Sequence, residues 1–340
     1  MTSEPTVQTL RGLFDDLMSS ELPAEDAPEY TLGLPIGAGY AGVSRAGWAA
    51  LLVPLPGRPS GVARAGGGCV LRPASEVEFS YGGRKWKQPA AILECRDPSV
   101  LDAFTVLALD VAGRSSESRS PKWEDVARLV DEWYALLARR RDLSQEDEIG
   151  TWGEVWFLSQ ASDPDRLASG WLGPEGGVSD FVIGGVCAEI KTSRSRLRHF
   201  VSQAQVERPM GELKAYLVSL WVGLDPEQGA TLPALVDLLL ARASDPAAVL
   251  RRLLELGYSL GDRHEYQKPF LLLEPPQWFP VGDVPRVRQA DPGVSHLRYM
   301  VMLDEHKALA SDEARPLQAH FHGPALSAVS SASGSQHETS

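Results

Sequence analysis

SDFVIGGVCAEIKTS, residues 179–193, is mostly apolar, yet it sets Asp180, Glu189 and Lys191 into what otherwise reads as buried strand. Gly184-Gly185 divides two apolar runs, and a two-residue Gly-Gly loop in that setting predicts a tight β-hairpin. Counting outward from the turn sets Ile183 opposite Val186, Val182 opposite Cys187, Phe181 opposite Ala188 and Asp180 opposite Glu189. Directly opposed residues of an antiparallel pair hold their Cβ atoms about 4.5–5.5 Å apart. Lys191, two residues beyond Glu189, shares its face because side chains alternate along a strand. The hairpin therefore aims two acids and an amine at one small volume.

Like charges placed opposite each other destabilise a hairpin, and burying ionised carboxylates is costly unless something compensates. A divalent cation compensates: carboxylate oxygens, a backbone carbonyl, water and a substrate phosphate form the shell that Mg²⁺ or Mn²⁺ accepts. Lys191 then orients or helps deprotonate the attacking water, or steadies the charge that develops on phosphorus. The same spacing also suits a solvated hairpin mouth, where Lys191 forms a surface ion pair worth about 0–1 kcal/mol. D-x(8)-E-x-K by itself does not separate the two.

The whole chain bounds the answer. Its 340 residues allow two domains or three, and 43% hydrophobic with 23% charged residues is ordinary for a soluble globular protein. No run of about 18 apolar residues predicts a spanning helix. The start, MTSEPTVQTLRGLFDDLMSSELP, reads as an acidic amphipathic helix rather than a secretory signal, so a cytoplasmic protein is expected. Cys69, Cys95 and Cys187 are an odd number without CxxC spacing, which predicts reduced thiols with no disulfide framework and no zinc site. A formal charge of −12 argues against a protein that coats nucleic acid through its net field. Locally the balance differs: Lys191, Arg194, Arg196, Arg198 and Arg208 face Glu207 alone just after the quoted stretch.

Residues 30 to about 115 carry short apolar runs broken by Gly and Pro, such as GWAALLVPLPG, GGCVLRPASEVEFSYGG and QPAAILECRD, which predict a β-rich N-terminal domain. Gly37, Gly39 and Gly42 in GAGYAG match G-x-G-x-x-G, but a dinucleotide site needs a helix next and an acid about 20 residues on, where Val62 stands. Ser120-Pro121 opens a helix along Trp123, Val126, Val130, Trp133 and Leu137, ending in Arg139, Arg140 and Arg141, which suit a helix C-terminus. A second helix from Ser144 carries EDEIGTWGEVWFLSQ, in which Gly150 and Gly153 would permit a close approach to a sheet. LRHFVSQAQVE is expected as helix, ELKAYLVSLWVGL as strand, TLPALVDLLLARA and SDPAAVLRRLLELG as helices capped by Thr231 and Ser244, and FLLLEP and HLRYMVML as strands. From about residue 307 the composition turns Ala-, Ser- and His-rich, which predicts a disordered tail.

These residues resemble the PD-(D/E)XK nuclease superfamily, with Asp180 matching its first acid and Glu189-Ile190-Lys191 its E-x-K. Glu154 in GTWGEVWFL looks like the acid often carried on the helix before the hairpin, and Gln203 and Gln205 in SQAQ look like the glutamine of the following helix. The arrangement through WLGPEGGVSDF, AEIKTS and HFVSQAQ more narrowly resembles an uncharacterised bacterial group named for this motif and often encoded near phage-defence genes. It departs in one place, since Ser179 rather than Pro precedes Asp180.

The resemblance implies an α/β fold: a restriction-endonuclease-like core, with a mixed β-sheet flanked by helices, over residues 120–230. A β-rich N-terminal domain (1–119), a helical or α+β C-terminal region (231–306) and the tail (307–340) complete the expected organisation. It further implies a metal-dependent DNA endonuclease of bacterial defence, with Asp180, Glu189, the Ile190 carbonyl and Glu154 holding Mg²⁺ or Mn²⁺. Lys191 and Gln203 complete the expected catalytic set. Arg194, Arg196 and Arg198 touch DNA phosphate in that reading, or else form a solvated charge run. DNA and defence-system proteins are the expected partners, without a membrane, and an oligomer is compatible. A catalytically inactive DNA-binding or assembly subunit of a defence complex is the rival reading, motivated by the acidic net charge and the large share of chain outside the core.

Overall fold

The computed structural model describes residues 5–20, 28–118, 120–137, 143–172, 179–207, 213–258, 263–287, 294 and 296–323. Two compact units divide the chain: residues 1–151 with 226–269, and residues 152–225 with 270–340.

In the first unit, α1 (Val7–Ser19) is capped by Thr6, whose side chain accepts the Thr9 N–H, and buries Leu10 and Phe14. Six antiparallel strands follow: β1 (Tyr30–Ile36), β2 (Gly39–Ser44), β3 (Ala49–Pro54), β4 (Arg64–Gly66), β5 (Cys69–Tyr81) and β6 (Arg84–Cys95). Their order in the sheet is β1-β2-β3-β6-β5-β4. The β-rich expectation holds here because short apolar runs are separated by turns. GAGYAG is one of these turns: Gly37 takes φ 46° between β1 and β2, and a strand, not a helix, follows it. The dinucleotide reading fails on that point. Helices α2 (Leu101–Ser116) and α3 (Trp123–Leu137) come next, and α4 (Gln145–Ser159) starts where Ser144 accepts the Asp147 N–H. The division between the units falls inside α4.

The second unit is built on α5 (Pro164–Ser169), β7 (Phe181–Ile183), β8 (Val186–Ser193), β9 (Arg198–Ser202), α6 (Gln203–Glu207) and β10 (Lys214–Leu224). The hairpin has the register counted from its turn, with Ile183 beside Val186, Val182 beside Cys187 and Phe181 beside Ala188. Gly184 and Gly185 take φ 51° and 85°, the left-handed pair that a type I′ turn requires. β8 runs parallel to β10, bringing Glu189 beside Leu217 and Lys191 beside Ser219. The chain then returns to the first unit as α7 (Leu232–Arg242) and α8 (Pro246–Leu256), each with proline in its first turn. Asp245, rather than the expected Ser244, caps α8 by accepting the Ala248 N–H, and Gly257 closes it at φ 99°. The second unit is completed by β11 (Phe270–Leu272) and β12 (Gln277–Pro280), both antiparallel to β10, β13 (Arg298–Met302) on β9, and α9 (Ser311–His322). The α/β fold with a mixed sheet and flanking helices is therefore as expected.

Three expectations need correction. LRHFVSQAQVE is not one helix but a strand followed by a short helix, because His199 and Val201 turn inward and are buried while Arg198 and Phe200 turn outward. That period is two, not 3.6. The tail expected to be disordered from 307 contains α9, whose Ala314 and Phe321 are buried at seven-residue spacing; Phe321 packs 5.6 Å from Phe157 and 5.8 Å from Trp278. Two apolar positions sufficed to seat a helix that composition concealed. The compact units also ignore the boundaries at 119 and 230: α7 and α8, placed by sequence in a C-terminal region, belong with the N-terminal sheet and helices. Arg139, Arg140, Arg141, Arg208 and residues 324–340 lie outside the described residues. No described helix is long and apolar enough to cross a membrane.

Candidate active site

Asp180 stands just before β7, past the last hairpin pair, and is held on two sides. Its backbone carbonyl accepts the Leu172 N–H at 2.8 Å, and its Oδ2 accepts the Ile190 N–H at 2.7 Å. In a strand the N–H and C=O of one residue point to the same side, so the Ile190 carbonyl is directed to this edge as well. Glu189, on the next strand, is only 4% exposed. Its Oε1 receives the Lys191 ammonium at 2.7 Å and the Gln205 amide at 2.5 Å, whereas its Oε2 is buried with no hydrogen-bond partner. The two acids and the lysine thus converge as the register predicts.

Glu154 enters from α4, where Gly153 makes the approach possible. A Cβ at position 153 would lie 1.7 Å from Thr192 Oγ1 on β8, so any other residue pushes the helix off the strand. Gly150 has open space at the same test and plays no such part. The Glu154 Oε2 accepts the indole N–H of Trp171 at 2.7 Å. Trp171 is 1% exposed and stacks on Phe181 at 6.0 Å, so it is core, as expected, but it also positions an acid, which the sequence reading did not foresee.

Desolvation raises the Glu154 carboxyl to about 7, partly offset by the Trp171 hydrogen bond. It pushes Asp180 well above the usual carboxylate range, reinforced by the charges of Glu189 and Glu154. Glu189 is raised by burial, with Lys191 pulling back. Burial alone would lower Lys191, but the charges of Glu189, Asp180 and Glu154 and the Glu189 hydrogen bond win, and its ammonium is held above its ordinary value. The neighbouring acids thus favour the ammonium form of Lys191. Without a cation, burial therefore favours protonated acids here; were all three ionised they would exceed the one ammonium by two negative charges, which a divalent cation would match.

These shifts give a pH dependence. With a folded value of about 7 against about 4.3 unfolded, Glu154 binds its proton more tightly in the native state, so metal-free stability falls as pH rises between those values and levels above 7. Glu154→Gln is expected to stabilise the metal-free protein by roughly 1–3 kcal/mol at pH 8 and by little at pH 4, as measured by urea unfolding. Equal gains at both pH values would show that desolvation of the charge is not the cause.

The Gln205 side chain reaches Glu189, and Gln203 opens α6, its backbone N–H donating to the Leu297 carbonyl at 2.8 Å. His199 is buried on β9 with its Nε2 2.8 Å from Ser219 Oγ, and burial followed by the Lys191 charge lowers it to about 4. It is a neutral packing group. Arg194, Arg196 and Arg198 are exposed. Arg196 is engaged by Glu274 at 2.9 Å and lies over the Trp221 ring at 5.9 Å, which leaves it less available than a free cation.

Among the described residues, no group of three or more His, Cys, Asp and Glu side chains forms a metal cage on its own. The residues present nevertheless fit a hard divalent ion: a partnerless buried Glu189 oxygen, a second carboxylate and a carbonyl directed to the same edge suit a cation that keeps water and substrate phosphate in its shell.

A mixed sheet that carries an acid–acid–lysine set on one hairpin, flanked by helices, is a PD-(D/E)XK-type α/β arrangement. The family model described as "Putative PD-(D/E)XK family member, (DUF4420)" matches residues 38–304, and the chain belongs to this family. No curated protein and no solved structure matches it.

Proposed function

We propose that the protein is a metal-dependent DNA endonuclease of the cytoplasm, acting in bacterial defence against foreign DNA. The observation that carries the reading is the buried Glu189 carboxylate, which has one oxygen shared by Lys191 and Gln205 and the other without a partner. A surface ion pair at a solvated hairpin mouth would not be buried in this way. Membership of the family supports nuclease chemistry. The defence role rests on the resemblance of the motif arrangement to a group found near phage-defence genes.

Asp180, Glu189 and the Ile190 carbonyl would hold Mg²⁺ or Mn²⁺, with Glu154 alongside. The bound ion would supply Lewis-acid polarisation of the scissile phosphate. Gln205 and Lys191 fix the orientation of Glu189 from one side, and the Ile190 N–H fixes Asp180 from the other. Lys191, held protonated, donates to the attacking water or to a phosphate oxygen where negative charge grows. Water adds to phosphorus, the bridging P–O bond breaks, and a phosphate monoester and a hydroxyl end result. Arg194 and Arg198 are the cations proposed to meet flanking phosphates, with Arg196 following if Glu274 releases it.

Incubating the full chain with supercoiled and linear DNA in Mg²⁺, Mn²⁺ or chelator tests this reading. Nicking in either ion that vanishes with chelator is expected. DNA retention without cleavage in any ion would favour a DNA-binding or assembly subunit instead, the reading that the net charge of −12 motivates. Independently of activity, Mn²⁺ at a hundredfold excess over its Kd is expected to stabilise the fold by about 2.7 kcal/mol. That thermal shift should disappear in Glu189→Gln; its persistence would place the ion elsewhere.

A further inference from the structure

The sheet of the first unit curls on itself. β2 and β5 are separated in the order by β3 and β6, yet Tyr40 of β2 packs 5.7 Å from Phe79 of β5 and 5.8 Å from Trp86 of β6. Tyr30, Ala50, Leu52, Val77, Phe79, Ala90 and Ile92 fill its interior. At one end the β5–β6 hairpin closes through Gly82 and Gly83, at φ 57° and 76°. The last pairs before this turn are Phe79 with Trp86, Ser80 with Lys85 and Tyr81 with Arg84, and the two-residue alternation sets Phe79, Tyr81, Arg84 and Trp86 on one face and Lys85 on the other.

There the interior opens as a cleft of about 600 Å³ lined by Tyr40, Tyr81, Arg84, Lys85 and Trp86. Tyr40 and Tyr81 stand 5.8 Å apart, and Trp86 is backed by Phe79, stacked at 5.4 Å and 11°. Tyr81 is 37% exposed, so its ring is offered to solvent rather than spent in the core. Both charged residues of the lining are cations, in a chain whose net charge is −12. Lys85 has a loose partner, Glu78 at 3.8 Å; Arg84 forms no ion pair or side-chain hydrogen bond among the described residues.

We propose that this mouth binds single-stranded nucleic acid, with an unstacked base against the Tyr40, Tyr81 and Trp86 rings and its phosphate on Arg84. Aromatic rings offer stacking to any base, worth about 1–3 kcal/mol per base, and a guanidinium takes phosphate by paired hydrogen bonds. The Arg84 guanidinium on the ring face disfavours a quaternary ammonium, which aromatic clusters otherwise suit. A proline-rich peptide would use the rings but leave Arg84 without a counter-charge. The volume matches a nucleotide-sized ligand. The proposal goes beyond the hydrolytic reading, since every residue in it belongs to the first unit.

Fluorescence anisotropy of a labelled short thymidine oligonucleotide with the full chain, in chelator so that nothing is cleaved, tests it. Binding that weakens about tenfold or more in Tyr81→Ser/Arg84→Glu, and is stronger for the single strand than for a duplex of equal length, is expected. Both substitutions sit at an exposed hairpin end, and an unchanged melting temperature confirms that the variant folds. Arg84→Ala alone should lose part of the affinity and flatten its salt dependence. Undetectable binding by the parent chain, equal affinity in the double variant, equal competition by thymidine monophosphate, or capture of a proline-rich peptide instead of the strand would each overturn the assignment. None of these outcomes touches the carboxylate cluster, whose test is cleavage in the presence of metal.

Discussion

Lys191→Ala and Asp180→Ala are each expected to lower metal-dependent DNA cleavage about a thousandfold or more, or roughly 4 kcal/mol of barrier, while the circular dichroism of the fold is retained. Removing the ammonium leaves Glu189 buried without its 2.7 Å partner and removes the donor proposed to meet developing charge. Removing the Asp180 carboxylate frees the Ile190 N–H and takes away an oxygen from the proposed ion. The two variants should part in metal binding. Asp180→Ala is expected to lose the Mn²⁺ thermal shift, whereas Lys191→Ala keeps it or enlarges it, because one competing positive charge is gone. Cleavage by both variants at the parent rate would reject the mechanism.

Gly153→Leu is expected to destabilise the protein by about 3 kcal/mol or more and to abolish cleavage, whereas Gly150→Ala should stabilise it by about 0.5–1 kcal/mol. The contrast isolates one contact. At 153 even a Cβ would lie 1.7 Å from Thr192 Oγ1, 2.9 Å from Thr192 Cβ and 3.3 Å from Leu220 Cδ1, whereas at 150 nothing lies within 4 Å. An added side chain at 153 must lift α4 from β8, and Glu154, the next residue, moves with it away from Asp180 and Glu189. Chemical denaturation of both variants measures the difference. A Gly153→Leu protein as stable as its parent would mean that helix and strand are not in contact at this point.

Much of the site was legible because a hairpin converts sequence spacing directly into geometry. Gly184-Gly185 admits few turn types, and once the turn is set, the alternation of side chains leaves Glu189 and Lys191 no freedom to diverge. That Gln205 meets Glu189 was not legible, because an unexpected strand before it changes how the short helix begins. LRHFVSQAQVE carries both helix-forming residues and alternating burial; pairing of β9 with β13, about a hundred residues later, decided for strand. The indole N–H that holds Glu154 belongs to a tryptophan seventeen positions away, a distance at which no local pattern speaks.

The amino-acid order by itself determined the turn, the register and the shared face of Asp180, Glu189 and Lys191, since these follow from backbone sterics within fifteen residues. Only the tertiary structure decided that Glu189 is buried with a partnerless oxygen, that Gly153 rather than Gly150 is the point of close approach, and that residues 226–269 join the first unit. Desolvation and close packing depend on atoms brought together from distant parts of the chain, and no local window of sequence contains them.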